Sequence, residues 1–234
     1  MISNVKNSIL LPGSFFDDQW ESKIYLIQEK INCNTIYFFD HTVNPVNNSS
    51  SVYNQFEAIQ KVLEYKKDIR LGTLVTNLKR KSAEEICSSL RHIVSSTDYF
   101  DFGIGIGDDK YEKNLDTDYT NIHESIELIL NSFNFDKESF SMFIGGTSEY
   151  VSSIAAKHDL GINIWNKNED YVSKKFKEFE TKNRGRNSFT VHQGSLENKG
   201  NTPKYCEEII FVTKDSSFDE FTKQLDSIKG WIET

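Results

Sequence analysis

The chain has 234 residues, a formal net charge of −8 and no long basic run, which excludes the electrostatic footprint of a nucleic-acid or membrane-surface binder. Aromatic residues make up 13%, enough to build a core, so intrinsic disorder is excluded as well. Cys33, Cys87 and Cys206 are odd in number and form no CxxC pair, which supports neither a disulfide framework nor a zinc site. No stretch approaches the roughly 18 apolar residues of a membrane span. A soluble, reduced, cytoplasmic protein is expected.

Along the chain, short apolar runs alternate with longer amphipathic segments. Residues 8–12 (SILLP) read as a strand, followed by a helical pattern over 17–31. Residues 35–39 (TIYFF) have the β-branched and aromatic composition of a buried strand. A helix over 53–67 carries Phe56, Ile59, Val62 and Leu63 on one face, and 70–75 (RLGTLV) is the third strand. Ser82 and Glu85 have the spacing of a capping box, and the helix they open groups Ile86, Leu90, Ile93 and Val94. Strands are predicted at 99–106, 141–145, 161–165, 188–192 and 208–212, with helices at 121–133, 148–157, 169–182 and 218–231. The charged runs at 111–118 and 174–182 read as solvated faces.

Strands alternating with helices are the signature of βαβ units and a parallel sheet. Eight strands predict a compact (β/α)8 barrel, for which about 250 residues are typical. A doubly wound open sheet uses the same local pattern and stays open as the alternative. The polar stretch between the seventh and eighth strands is not helical in pattern, so the seventh helix is expected to be reduced or absent. No linker composition interrupts the chain, and residues 1–234 are read as a single domain.

In parallel α/β folds, ligands bind at the carboxyl ends of the strands. Asp40-His41 follows the second strand, Thr76-Asn77 the third, and Gly103, Gly105, Gly107 and Asp108 lie within and after the fourth. Gly145, Gly146 and Thr147 follow the fifth, so five of the twelve glycines gather at two adjacent strand ends. Glycine lets backbone N–H groups approach an anion, and a helix opening at 146–148 would attract phosphate. Crowding inside a barrel also calls for small residues, and for Gly103 the two readings stand level. His41 alone among the five histidines follows an acid at a strand end, and its near-neutral pKa suits acid–base work. His92, His123 and His158 fall on predicted helices and read as structural or solvated, while His192 lies on the rim without a motif. Phe38, Phe39, Phe102 and Phe143 are expected in the core, and Trp165 is assigned there too. No metal site and no nucleophile motif is supported.

RLGTLVTN, an amphipathic helix and then FDFGIGIGDDKYE resemble the bacterial-luciferase-like superfamily of flavin and deazaflavin oxidoreductases. FFDHT resembles that family's strand-two ending, and FIGGTSEYVSSIAAKHDLGINIW its segment across strands five and six. The wording is nearest the methylenetetrahydromethanopterin reductase branch, and the resemblance covers roughly residues 8–182. It implies a barrel that holds FMN or coenzyme F420 at its C-terminal rim. Asp40 and His41 would flank the reactive face of the ring; Thr76, Asn77, Gly105, Gly107 and Asp108 would line it. Gly146 and Thr147 would receive the phosphate. Hydride transfer between the cofactor and a small organic substrate follows from the resemblance, in a protein that family analogy makes a homodimer.

The chain departs from the family in particulars. Leu78 and the run Arg80-Lys81-Ser82 stand where the family often has proline, the first strand carries no acid, and the insertion that covers the active site is missing. A lid excludes water and completes a site. Two alternatives therefore stand beside the hydride-transfer reading: an FMN-dependent monooxygenase, and a non-catalytic flavin-binding or assembly protein on a reduced barrel.

Overall fold

Runs of four or five apolar or β-branched residues form the strands, and the amphipathic segments between them form the helices that cover those strands. The computed structural model describes residues 5–44, 50–107, 122–180, 182–192 and 202–233. The strands are β1 (Lys6–Leu10), β2 (Ile36–Phe38), β3 (Leu71–Asn77), β4 (Phe100–Gly105), β5 (Phe140–Gly145), β6 (Gly161–Trp165), β7 (Ser188–His192) and β8 (Glu208–Val212). All neighbours pair in parallel in chain order, and β8 pairs back onto β1, closing a compact (β/α)8 barrel. The open-sheet alternative is thereby excluded.

The helices are α1 (Trp20–Lys30), α2 (Gln55–Tyr65), α3 (Ala83–Val94), α4 (Ile122–Ser132), α5 (Glu149–His158), α6 (Glu169–Glu178) and α7 (Phe218–Glu233). Among the described residues no helix lies between β7 and β8; residues 193–201 of that segment lie outside them. The expected capping box opens α3: Glu85 N donates to Ser82 Oγ at 3.2 Å and Ser82 N to Glu85 Oε2 at 2.8 Å. Val94 departs from the face assigned to it and is 39% exposed. At 100° per residue it falls at the edge of the stripe formed by Ile86, Leu90 and Ile93. In the charged run at the end of α6, Phe176 and Phe179 are buried while the charges face out.

Two apolar layers result. Outward positions of the strands, including Ile9, Phe38, Phe102, Ile144, Ile164 and Phe211, pack against the helices. Inward positions form a separate cluster of Leu10, Tyr37, Phe39, Leu74, Phe143 and Ile210. Gly103 belongs inside: a Cβ there would collide with the Phe143 ring and the Thr73 carbonyl. For Gly103 the structure thus decides for crowding.

The N-terminal end of the barrel is closed by charge. Asp101, fully buried on β4, accepts from Arg70 Nε at 2.8 Å and Nη2 at 2.6 Å, and from Ser141 Oγ at 2.5 Å. Arg186 Nη2 lies 2.6 Å from Asp101 Oδ2, and Nε lies 3.6 Å from Glu208 Oε2. Tyr37 OH donates to Glu208 at 3.0 Å and Ser8 Oγ donates to the same carboxylate. Burial alone would raise the Asp101 carboxyl, but Arg186 and then Arg70 outweigh it and hold the group below the usual range. Glu208 is raised, first by burial and further by Asp101, against the pull of Arg186.

The two carboxylates therefore differ in what their loss does. Asp101→Asn leaves the buried Arg186 and the partly buried Arg70 guanidiniums without their shared counter-charge and lowers stability by about 3–5 kcal/mol; Glu208→Gln costs less. Asp101, with its lowered folded-state pKa, contributes stability that is present above about pH 4 and is lost as pH falls toward the folded value. Urea melts at neutral pH check the order of the two variants. Melts below pH 4 should show less acid sensitivity in Asp101→Asn than in the unaltered chain.

Candidate active site

At the opposite end the strands deliver their C-terminal residues to a common mouth. The ladder between β3 and β4 shifts register between Thr73 and Thr76, and the Leu74–Val75 peptide within that interval is cis. Val75 packs beside Leu74 on the inner cluster. A Cβ on Gly105 would collide with Val75 Cγ2, and one on Gly145 would lie 3.0 Å from Val75 Cγ1. The two glycines on β4 and β5 make room for this isopropyl group. Val75 and Val212, both half-buried, form an apolar floor above the inner cluster.

Asp40 is buried and fully engaged. Its Oδ2 accepts from Lys81 Nζ at 2.7 Å and Asn77 N at 3.2 Å, and its Oδ1 from Arg80 Nη1 at 3.0 Å. The Arg80-Lys81 pair, a departure from the family wording, thus closes the β3–α3 loop onto the end of β2. His41 is half-buried on the rim, its ring 5.3 Å from that of Phe39. Asn77 is 3% exposed, and its Oδ1 accepts from Lys79 N at 2.9 Å. Gly107 has φ +86°, and a Cβ there would meet Lys79 Cδ at 2.6 Å. Asp40, Asn77 and Gly107 are therefore brought together around the β3–α3 loop.

The other expected residues lie elsewhere. Thr76 faces outward: its Oγ1 donates to Gln55 Oε1 at 2.8 Å, and Gln55 Nε2 donates to Phe38 O at 2.8 Å. Gly105 faces Val75 rather than open space. Asp108 lies outside the described residues. Gly146 has φ +133°, and its N–H donates to Asn163 O at 3.0 Å. Thr147 is half-exposed beside the start of α5, whose Val151 N–H is capped by Ser148 Oγ at 3.2 Å.

Trp165, expected in the core, is 37% exposed. It shares the inward register of Asn163 but stands above the last packed layer, where the barrel opens. Its ring is 6.0 Å from that of His192 at the end of β7. Strand order puts this pair across the mouth from His41 on β2. Val75 went unnoticed in the sequence because an apolar residue inside a strand carries no signal of function; glycines on the two following strands were the available hint.

No protein-family model matches the chain, and no curated protein does. Among solved structures, the monooxygenase RslO1 from Streptomyces bottropensis is similar with a TM-score of 0.68 at 9% identity, over 98% of this chain and 99% of that one. An F420-dependent secondary alcohol dehydrogenase, solved with an F420–acetone adduct, gives 0.66 at 9% identity over 98% of both chains. The coenzyme F420-dependent tetrahydromethanopterin reductase from Methanopyrus kandleri gives 0.53 at 15%, over 81% of this chain and 65% of that one. The fold expected from the luciferase-like resemblance is the fold observed. At these identities the likeness is one of fold. No helix of the described residues is long and apolar enough to cross a membrane.

The Asp40 cluster has a measurable consequence. Asp40→Ala strips two charged partners and a backbone N–H of their acceptor and lowers stability by about 1.5–3 kcal/mol, whereas His41→Ala changes it by less than about 1 kcal/mol. Parallel thermal melts of the two variants check the contrast.

Proposed function

We propose that residues 1–234 form one luciferase-like oxidoreductase domain that binds coenzyme F420 or FMN at the C-terminal mouth and acts on a small organic substrate. One observation carries this reading. The mouth offers an apolar floor, Val75 and Val212, with imidazoles on opposite walls, His41 on one side and His192 beside Trp165 on the other. A flat ring fits such a floor. The phosphate end fits with one adjustment: the Gly146 N–H is already given to Asn163, so the phosphate falls to Thr147 and the first turn of α5. The F420-dependent and monooxygenase neighbours support either cofactor.

Bound there, the ring supplies hydride chemistry that side chains lack. In this reading His41 holds or moves a proton on the substrate, a role suited to an imidazole. Asp40 positions it: held by Arg80, Lys81 and Asn77, it fixes the end of β2 on which His41 sits. Asn77 and Gly107 border the ring from the ends of β3 and β4, with Gly105 beneath Val75 and Thr76 behind them. An FMN-dependent monooxygenase uses the same mouth. The non-catalytic reading draws on Tyr53, which with Val52 packs over the inner cluster from the β2 side and donates to Leu11 O at 3.4 Å.

Fluorescence titration with FMN and with coenzyme F420 tests the proposal. Binding of at least one with a Kd of about 1 µM, or about −8 kcal/mol, is expected; failure of both removes the flavin reading. In the loaded protein, His41→Ala should lower kcat by about 100-fold or more while leaving cofactor affinity nearly unchanged. Binding without any turnover of alcohol, aldehyde or sulfide substrates favours the non-catalytic reading.

A further inference from the structure

The N-terminal face of the barrel, away from the mouth, carries a groove of about 850 Å³ between the start of β1, the C-terminal ends of α1 and α3, and the loops leading into β3 and β4. That is within the usual size of small-molecule pockets, though its walls are unusually polar. Primary amides line one side: Asn7, Gln28, Asn32 and Asn34. Hydroxyls line the other, where Ser95 and Ser96 each donate inward to His92 O at 2.8 and 2.9 Å and so keep oxygen lone pairs for a further donor.

Of the five charged residues lining the groove, Lys67 and Asp98 are of opposite sign and the other three are paired within the protein. Lys6 pairs with Glu138 at 3.5 Å, Asp68 with Lys66 at 3.8 Å, and the Arg70 guanidinium is directed to Asp101. Such a lining does not select an anion or a cation. Two further features point to a ligand. Gln28 Oε1 is closed off from solvent and accepts no hydrogen bond, and a buried acceptor left unpaired costs free energy. Its terminal amide torsion is soft, so it turns toward an entering donor at little cost. Tyr99, 55% exposed, stands on the rim with the Arg70 guanidinium 5.8 Å from its ring centre.

We propose that this groove binds a neutral polyhydroxylated ligand, a small carbohydrate, through its amides and hydroxyls with the Tyr99 ring as platform. Sugar hydroxyls donate and accept at once, as amides do, and the C–H face of a sugar ring lies against one aromatic face. A nucleobase also stacks on a single aromatic face, so adenosine is the competing ligand in the test. The proposal is independent of the cofactor reading, since the groove lies at the opposite end of the strands.

Isothermal titration of the full chain with maltose, cellobiose and trehalose at up to about 10 mM tests it. At least one should bind with a Kd of about 1 mM or tighter, weakened about tenfold in Tyr99→Ala or in Gln28→Leu. Tyr99 is exposed, so its variant keeps the fold, and circular dichroism melts verify this for both. Absence of binding by all three sugars overturns the proposal. So does sugar binding unchanged in both variants, or binding of adenosine in place of the sugars.

Discussion

A barrel of eight short parallel strands has an interior that its own side chains must fill, and the manner of filling governs everything above it. Here the lowest layer is ionic. Asp101 and Glu208, on β4 and β8, are held by Arg186 and Arg70 from the segments that lead into β7 and β3, with Ser8, Tyr37 and Ser141 completing the shell from β1, β2 and β5. Apolar residues of equal volume often give as much stability as a buried ion pair. What the charges add is direction. The hydrogen bonds from Arg70, Ser8, Tyr37 and Ser141 are each made at one distance and angle, so strands that touch only their neighbours are tied across the barrel in a single register. Arg186 adds charge between the two carboxylates.

With the base fixed, the upper layers are shaped by size. β4 and β5 carry glycine where their inward positions meet Phe143 and Val75, and the isopropyl group of Val75 occupies the space that Gly105 and Gly145 leave. The floor of the mouth is therefore apolar where Val75 and Val212 form it, while Asn163 and Thr190 bring buried polar groups into the barrel from β6 and β7. Asp40 shows how firmly the edge of the mouth is held. Although it has the type and position of a reacting carboxylate, its oxygens are committed to Arg80, Lys81 and Asn77. The next residue in sequence, His41, lies half-buried on the rim beyond the end of β2, with its ring against Phe39.

Much of this was legible in the residues. β6, β7 and β8 fall on the expected residues, because short apolar runs flanked by polar ones have no competing interpretation. The Ser82–Glu85 capping box was legible for the same reason, being a local device with a fixed spacing. Three things were not. Thr76 was read as following a strand that ends at Val75, whereas β3 runs on to Asn77 and the shifted register before Thr76 turns its hydroxyl toward Gln55. Trp165, ending the sixth strand, was assigned to the core over the alternative of facing a planar ligand, whereas its height in the barrel decides its exposure. The Arg70–Asp101–Arg186–Glu208 cluster was invisible, since its members come from four separate segments and each reads alone as an ordinary surface charge.

A continuous run of contacts joins the two ends of the barrel. Tyr37 bonds to Glu208 at its hydroxyl and meets the Phe143 ring edge-on at 6.0 Å; Phe143 fills the space before Gly103, and Val75 the space before Gly105 and Gly145. Contiguity alone does not transmit a signal; that requires an element with two arrangements of similar energy. These side chains have little room for a second one. Tyr37 stands against Gly72, where a Cβ would lie 2.7 Å from its ring, and its hydroxyl is held between two carboxylates. Close packing of this kind resists displacement instead of relaying it. The barrel interior is therefore a rigid partition. On the two proposals made above, a ligand at the N-terminal groove and chemistry at the mouth would act on one protein without acting on each other.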